Sequence, residues 1–156
     1  MIRSSHIVDC IMEVMDAAFD PAYGEAWTRR QVADALVLSN THALVIDADG
    51  KPIKGETERD PSGFVLTRHG ADEEELLLIA VIPEYRGRGF GKLLIELLFE
   101  AARERSTARI FLEMRRGNPA EHLYLRTGFE PIGERPNYYR MSDGSRIDAI
   151  TFGRSI

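Results

Sequence analysis

Apolar residues recur at helical spacing near the start of the chain, at Ile7, Ile11, Val14, Met15 and Ala18, which predicts a helix over residues 6–18. An aromatic loop from Phe19 to Trp27 follows. Thr28 and Gln31 then have the form of a capping box, with Trp27 and Val32 placed as a hydrophobic staple, so a second helix starts there. Residues 42–48 and 62–69 read as strands. The polar connection over 47–61 is long for a hairpin and reads as mobile. Leu76 to Ile82 is apolar without alternation, which suits a central strand covered on both faces. Phe90, Leu93, Leu94, Leu97, Leu98 and Ala101 form one stripe, predicting a long helix over 90–105. Residues 109–115 alternate, with Ile110, Leu112 and Met114 on one face and Phe111, Glu113 and Arg115 on the other. Asn118 reads as the cap of a short helix, with Pro119 at its first position and Glu121 completing a box-like pair. Gly128 closes that helix in the left-handed conformation. Strands at 129–135 and 147–152 come last, joined through Pro136 to Arg140 and a turn at Asp143-Gly144. Helices interleaved with strands, without an internal repeat, predict a single α/β domain spanning 1–156 and built on a mixed sheet.

Charge and composition narrow the partners. The chain carries 20 Lys and Arg against 25 Asp and Glu, a net charge of −5. That balance argues against general nucleic-acid binding, which phosphate neutralisation drives, and it suits a cationic substrate. Cys10 is the only cysteine, so no intrachain disulfide can form, and its helical context reads as a core thiol. The first residues lack the apolar segment of a signal peptide, and no apolar run is long enough to span a bilayer. A cytoplasmic protein with no membrane partner is expected. His6, His42, His69 and His122 show no metal-ligand spacing, so no metal is expected.

The chemistry concentrates between Ile79 and Lys92. An apolar run ends at Pro83, a turn rich in Gly and Arg follows, and an amphipathic helix begins. Such a turn aims unpaired N–H groups and the positive end of a helix dipole at one spot, which favours phosphate. A P-loop is excluded, because Arg86 stands where its first glycine belongs and Leu93 where Ser or Thr should follow. A dinucleotide fingerprint is excluded by Lys92 in place of its third glycine. What remains is Arg86-x-x-Gly89-x-Gly91 between a buried strand and a long helix.

This segment resembles the acetyl-CoA signature of the GNAT N-acetyltransferase superfamily. The later segments Leu112-Glu113-Met114-Arg115, Asn118, Leu123 to Phe129, Asn137-Tyr138-Tyr139 and Asp143-Gly144, in this order, resemble its RimI-type members, the ribosomal-protein-alanine N-acetyltransferases. The resemblance runs from about Gly63 to Ala149 and implies the GNAT fold, a splayed mixed sheet flanked by helices. It further implies a pyrophosphate of acetyl-CoA on Gly87, Arg88, Gly89, Phe90, Gly91 and Lys92. The pantetheine arm would lie against Ile79, Ala80 and Val81, with Asn118 further along it. Glu113 would be the general base and Tyr124 the general acid. Tyr138 and Tyr139 would meet the acceptor, as would Trp27 unless it serves only as the staple. For Glu113 the plain alternative is an ion pair with Arg115, and for Tyr124 a core aromatic. The implied acceptor is a protein N-terminal α-amine, that of a ribosomal protein. A small-molecule amine, a lysine side chain, or a non-catalytic acetyl-CoA-sensing module remain open alternatives.

Overall fold

The computed structural model describes residues 4–19, 24–54 and 59–156. The first helix, α1, spans Ser4–Ala18, and α2 spans Arg29–Val37. The reading of Asp20 to Tyr23 as part of an aromatic loop lies outside the described residues. Three strands follow, β1 Thr41–Asp47, β2 Pro61–Gly70 and β3 Glu73–Val81, then α3 Phe90–Glu104 and β4 Arg109–Arg115. The chain ends with α4 Glu121–Arg126, β5 Glu130–Arg140 and β6 Arg146–Ser155.

The capping box at the start of α2 forms as the sequence predicts. Thr28 Oγ1 accepts from the Gln31 N–H at 3.2 Å, and Gln31 Oε1 accepts from the Thr28 N–H at 2.8 Å. Trp27 and the buried Val32 join one apolar cluster, as a staple requires. Thr28 is exposed, so Thr28→Ala should cost about 1 kcal/mol through the cap alone. Urea denaturation measures this, and a change below about 0.3 kcal/mol would count against it.

The sheet runs β1-β2-β3-β4-β6-β5. All neighbours are antiparallel except β3 and β4, which are parallel. That parallel pair holds for only three residues, Glu73 to Glu75 against Arg109 to Phe111. Beyond it the two strands part. A buried carboxylate fastens the closed end. Glu74 accepts hydrogen bonds from Arg105 at 2.7 and 2.9 Å and from the Thr107 hydroxyl at 2.9 Å. Burial pushes its pKa up, but these donors more than offset that and hold it below the usual carboxylate value.

One face of the sheet packs against α3 and α4, where Leu94, Leu98, Leu112, Phe129 and Phe152 are buried together. The other packs against α1 and α2 through Ile11, Val14, Val32, Phe64 and Leu66. The second cluster includes residues of β1, β2 and β3 but none of β4, β5 or β6. Half of that face is therefore left to the loops, and it is the half carrying Glu113.

Three local readings change. The connection after β1 is pinned in its described part: Ile53 is buried, and Gly50 lies so close to α3 that a Cβ there would come 2.9 Å from Leu93 Cδ2. Residues 55–58 of that connection lie outside the described residues. The helix after β4 starts at Glu121, later than the Asn118 cap implied, because Asn118 Oδ1 binds the Ala120 N–H at 2.9 Å in a tight turn of its own. Strand β5 continues past Arg135 to Arg140 across an irregularity. There Asn137 adopts φ 54° and its N–H donates to Asp148 Oδ1 at 2.9 Å. Pro136 has no N–H to give the ladder, and a strand passes it at a bulge or on a sheet edge; β5 offers both.

Candidate active site

The turn after β3 is braced before it reaches its glycines. Ile82 N–H donates to the Ser62 carbonyl at 2.8 Å, closing the β2–β3 ladder. By antiparallel alternation the Ala80 peptide groups face β2, and those of Ile79 and Val81 face the gap beside β4. Arg86 is anchored by its side chain. It donates from Nε to the Val81 carbonyl at 3.2 Å and from Nη2 to the Ala18 carbonyl at 3.1 Å. Tyr85 stacks on Phe90 at 6.1 Å, and the Arg88 guanidinium lies 5.3 Å from the Tyr85 ring.

Gly87 and Gly89 have φ of 79° and 80°, a region other residues enter only with strain. A Cβ at either would meet nothing within 4 Å, so the backbone there borders open space. Gly91 differs, since a Cβ there would come 3.0 Å from Leu123 Cδ2, and the Leu123 side chain would have to yield. The first bond of α3 runs from the Leu93 N–H to the Gly89 carbonyl at 3.0 Å. The amides of Phe90, Gly91 and Lys92 precede it and are the orphan donors of the helix end. A strongly anionic, linear group such as a pyrophosphate fits this cradle.

Across the gap, β4 sends alternate side chains to opposite faces. Leu112 and Met114 enter the core with α4, whereas Glu113 stays 27% exposed on the other face. Its Oε2 accepts from the Thr151 hydroxyl at 3.5 Å and pairs with Arg135 Nε at 3.5 Å. The ion-pair partner of Glu113 is thus Arg135 of β5. Arg115 pairs instead with Glu25, at 3.2 Å, and is only 10% exposed.

Tyr124 lies on the α4 side, 5% exposed, against Phe129 at 5.8 Å and Phe152 at 6.2 Å. Burial, helped by the Glu25 charge, raises its pKa well above the ordinary tyrosine value. Among the described residues its hydroxyl makes no hydrogen bond. Gly128, at φ 89°, ends α4 in a Schellman turn: its N–H donates to the Leu125 carbonyl, and Phe129 N–H donates to that of Tyr124 at 3.0 Å. That turn fixes Phe129 against Tyr124.

Tyr139 is brought to Glu113. Burial, then the charge of Glu113, push its pKa up to about 12, with Tyr138 and Glu25 adding to it. Tyr138 crosses the Tyr139 ring at 5.2 Å and lies beneath Arg135 at 5.1 Å. Trp27 packs into the α1–α2 cluster. Among the described residues of its loop, Glu25 reaches the site, and the sequence reading missed it. Glu25 accepts from Asn118 Nδ2 at 3.4 Å as well as pairing with Arg115. These contacts span 93 and 90 residues, and no local spacing could announce them. Glu113 and Tyr124 belong to opposite faces of the sheet, Tyr124 to the cluster under α3 and Glu113 to the other side. A group threaded through the β3–β4 gap would have a proton acceptor on one side of the sheet and a proton donor on the other. Among the described residues no cluster of His, Cys, Asp or Glu is arranged to hold a metal ion, and no helix is long and apolar enough to cross a membrane.

Residues 39–131 match the family model of the acetyltransferase (GNAT) domain. The chain belongs to the GNAT acetyltransferase family. It is 39% identical over 88 residues to the [ribosomal protein bS18]-alanine N-acetyltransferase of Haemophilus influenzae, a match covering 56% of this chain and 60% of that protein. The crystal structure of the ribosomal-protein-S18-alanine N-acetyltransferase from Escherichia coli superposes with a TM-score of 0.77 at 27% identity, over 96% of this chain and 87% of that one. An aminoglycoside 6'-N-acetyltransferase complexed with coenzyme A shares the fold alone, with a TM-score of 0.72 at 14% identity over 96% of this chain and 90% of that one.

Proposed function

We propose that residues 1–156 form one catalytic domain that transfers acetyl from acetyl-CoA to a protein N-terminal α-amine, that of a ribosomal protein. The observation that carries this reading is the gap between β3 and β4. An amide cradle follows β3, Glu113 stands on β4, and Tyr124 packs on the sheet face opposite Glu113, which supports their assignment to the gap. The likeness to bS18-alanine N-acetyltransferases supports the choice of acceptor. Such an acceptor implies the cytoplasm.

Acetyl-CoA, when bound, supplies an acetyl thioester. The amides from Gly87 to Lys92 hold its pyrophosphate. The gap-facing peptide groups of Ile79 and Val81 take its pantetheine arm, with Asn118 beyond. The acceptor arrives as an ammonium, since an α-amine has a pKa of about 8. Glu113 and Glu25, each also paired to an arginine, and the ring of Tyr139 give it a half-buried mouth with two carboxylates to meet its charge. Glu113 takes one proton from the ammonium at its carboxylate, and the freed nitrogen bonds the acetyl carbon as the C–S bond breaks. The second nitrogen proton passes to solvent, and Tyr124 gives its phenolic proton to the departing sulfur and is reprotonated from solvent. Tyr138 and Arg135 hold Tyr139 and Glu113 in place from β5.

The test is release of CoA thiol with a peptide that starts with alanine, followed by mass spectrometry of the peptide. Acetylation confined to the N-terminal nitrogen supports the reading. Acetylation of a lysine side chain or a free amine only would refute the acceptor. Tight acetyl-CoA binding without release across a broad amine panel would refute turnover. Glu25 offers a further check. Its carboxylate is partly screened, so Glu25→Gln should raise the peptide KM about two- to fivefold, the range of a half-exposed ion pair. The acetyl-CoA KM should stay within twofold.

A further inference from the structure

Arg109 and Arg154 line a cleft of about 250 Å³ at the far end of β4 from Glu113. Arg109 stands four residues before Glu113 on that strand, about 13 Å away at about 3.3 Å per residue. The two arginines come from opposite faces of the sheet. Arg154 lies on the α3 side, with its guanidinium 4.9 Å from the Phe99 ring centre. Arg109 shares the face of Phe111 and Glu113.

Neither arginine has a carboxylate partner among the described residues, although Glu130 borders the same cleft. Arg105, Arg115, Arg116 and Arg135 all do. Arg154 Nε is also buried without any hydrogen-bond partner. An aromatic face compensates a cation only in part. A buried guanidinium N–H left without a partner, with a second arginine lining the same cleft, requires a reason.

The backbone is cleared to hold them. Gly153 sits inside β6, where a glycine weakens a strand, and a Cβ there would come 2.7 Å from Arg109 Nη2. A Cβ at Gly128 would overlap Arg154 Nη1. Each guanidinium therefore occupies space that a side chain at the glycine would take, and both line the cleft. Planar forks of this kind match two oxygens of a phosphate or carboxylate.

We propose that Arg109 and Arg154 form a second, oxyanion-binding site, for a phosphate or carboxylate group, separate from the acetyl-transfer gap. The site stands whether or not the chain acetylates a ribosomal protein.

The experiment follows the arginine Nε–H resonances of the full ¹⁵N-labelled chain during titration with inorganic phosphate at constant ionic strength. The Arg109 and Arg154 signals, assigned by Arg109→Gln and Arg154→Lys, should move together and saturate with one Kd. Loss of one charged fork in Arg109→Gln should weaken that Kd about tenfold. Gly153→Ala presses first on the Arg109 guanidinium and the end of Ile132, and should weaken binding while the melting temperature holds within a few degrees. Acetate, titrated in parallel, separates the sources: tighter phosphate means a phosphoryl ligand, and equal or tighter acetate means a carboxylate. Arginine signals that stay fixed while the Gly87–Lys92 amides respond to phosphate would overturn the proposal. So would an equal response to added chloride.

Discussion

Glu113→Gln is expected to lower kcat for acetyl transfer about 10²- to 10⁴-fold, or about 3–5 kcal/mol of transition-state stabilisation, with the acetyl-CoA KM unchanged. Glutamine keeps the shape of the side chain and cannot accept the proton. The fold should survive, because Glu113 lies on the half of the sheet face left without helices, and Leu112 and Met114 hold β4 from the other side. The defect should also change with pH in a definite direction. Below about pH 8 the α-amine is mostly protonated, so the variant depends on the small free-amine fraction. Its rate should therefore rise about tenfold per pH unit up to that point, narrowing the gap to wild type. A pH profile of kcat/KM on an alanine-starting peptide decides this. A variant within threefold of wild type at pH 7 would remove Glu113 from the chemistry.

That prediction rests on a residue whose surroundings were only half legible. The alternation over Arg109 to Arg115 puts Glu113 opposite the core, and the strand occupies those same residues. Its ionic partner was not readable, because the sheet order places β6 and then β5 beside β4, and the choice between Arg115 and Arg135 follows from that order. The capping box of α2 and the left-handed end of α4 were legible because caps are local hydrogen bonds between near neighbours. Asn118 misled for a related reason. Its side chain does cap a turn, and the sequence cannot tell an Asx-type turn from the first turn of a helix. Pro136 reads as a strand end by the usual rule. The long-range acceptance of the Asn137 N–H by Asp148 lets β5 continue. The β3–β4 gap follows from a pairing that stops after three residues, and nothing in the apolar run from Leu76 to Ile82 marks where its partner leaves. Arg86 reads as the first residue of the acetyl-CoA signature, and its side chain donates to two backbone carbonyls, one of them 68 residues away, which no local spacing shows.

Tyr124→Phe should lower kcat by a similar factor, about 10²- to 10⁴-fold, and leave the protein at least as stable as wild type below pH 9. The two halves of this expectation come from one observation, a phenol 5% exposed whose hydroxyl has no hydrogen-bond partner among the described residues. Phenylalanine keeps the ring contacts with Phe129 and Phe152 and removes a hydroxyl that no described protein group binds. A purely structural tyrosine would lose no activity in this exchange. The raised pKa sharpens the test. In the folded protein the phenol stays protonated beyond the ordinary value of 10.0, so it can still donate wherever the amine is free. Any alkaline fall in wild-type kcat below pH 10 then belongs to another group. For stability the sign is fixed as well. Below pH 10 the phenol is neutral in both folded and unfolded chains, and its pKa difference has no effect. Above it the unfolded chain loses the proton first, so stability falls as pH rises toward the folded value. Tyr124→Phe should flatten that alkaline limb in urea titrations at pH 9 to 11. An active Tyr124→Phe enzyme, or an unchanged alkaline limb, would show that the burial seen here does not act on a reacting proton donor.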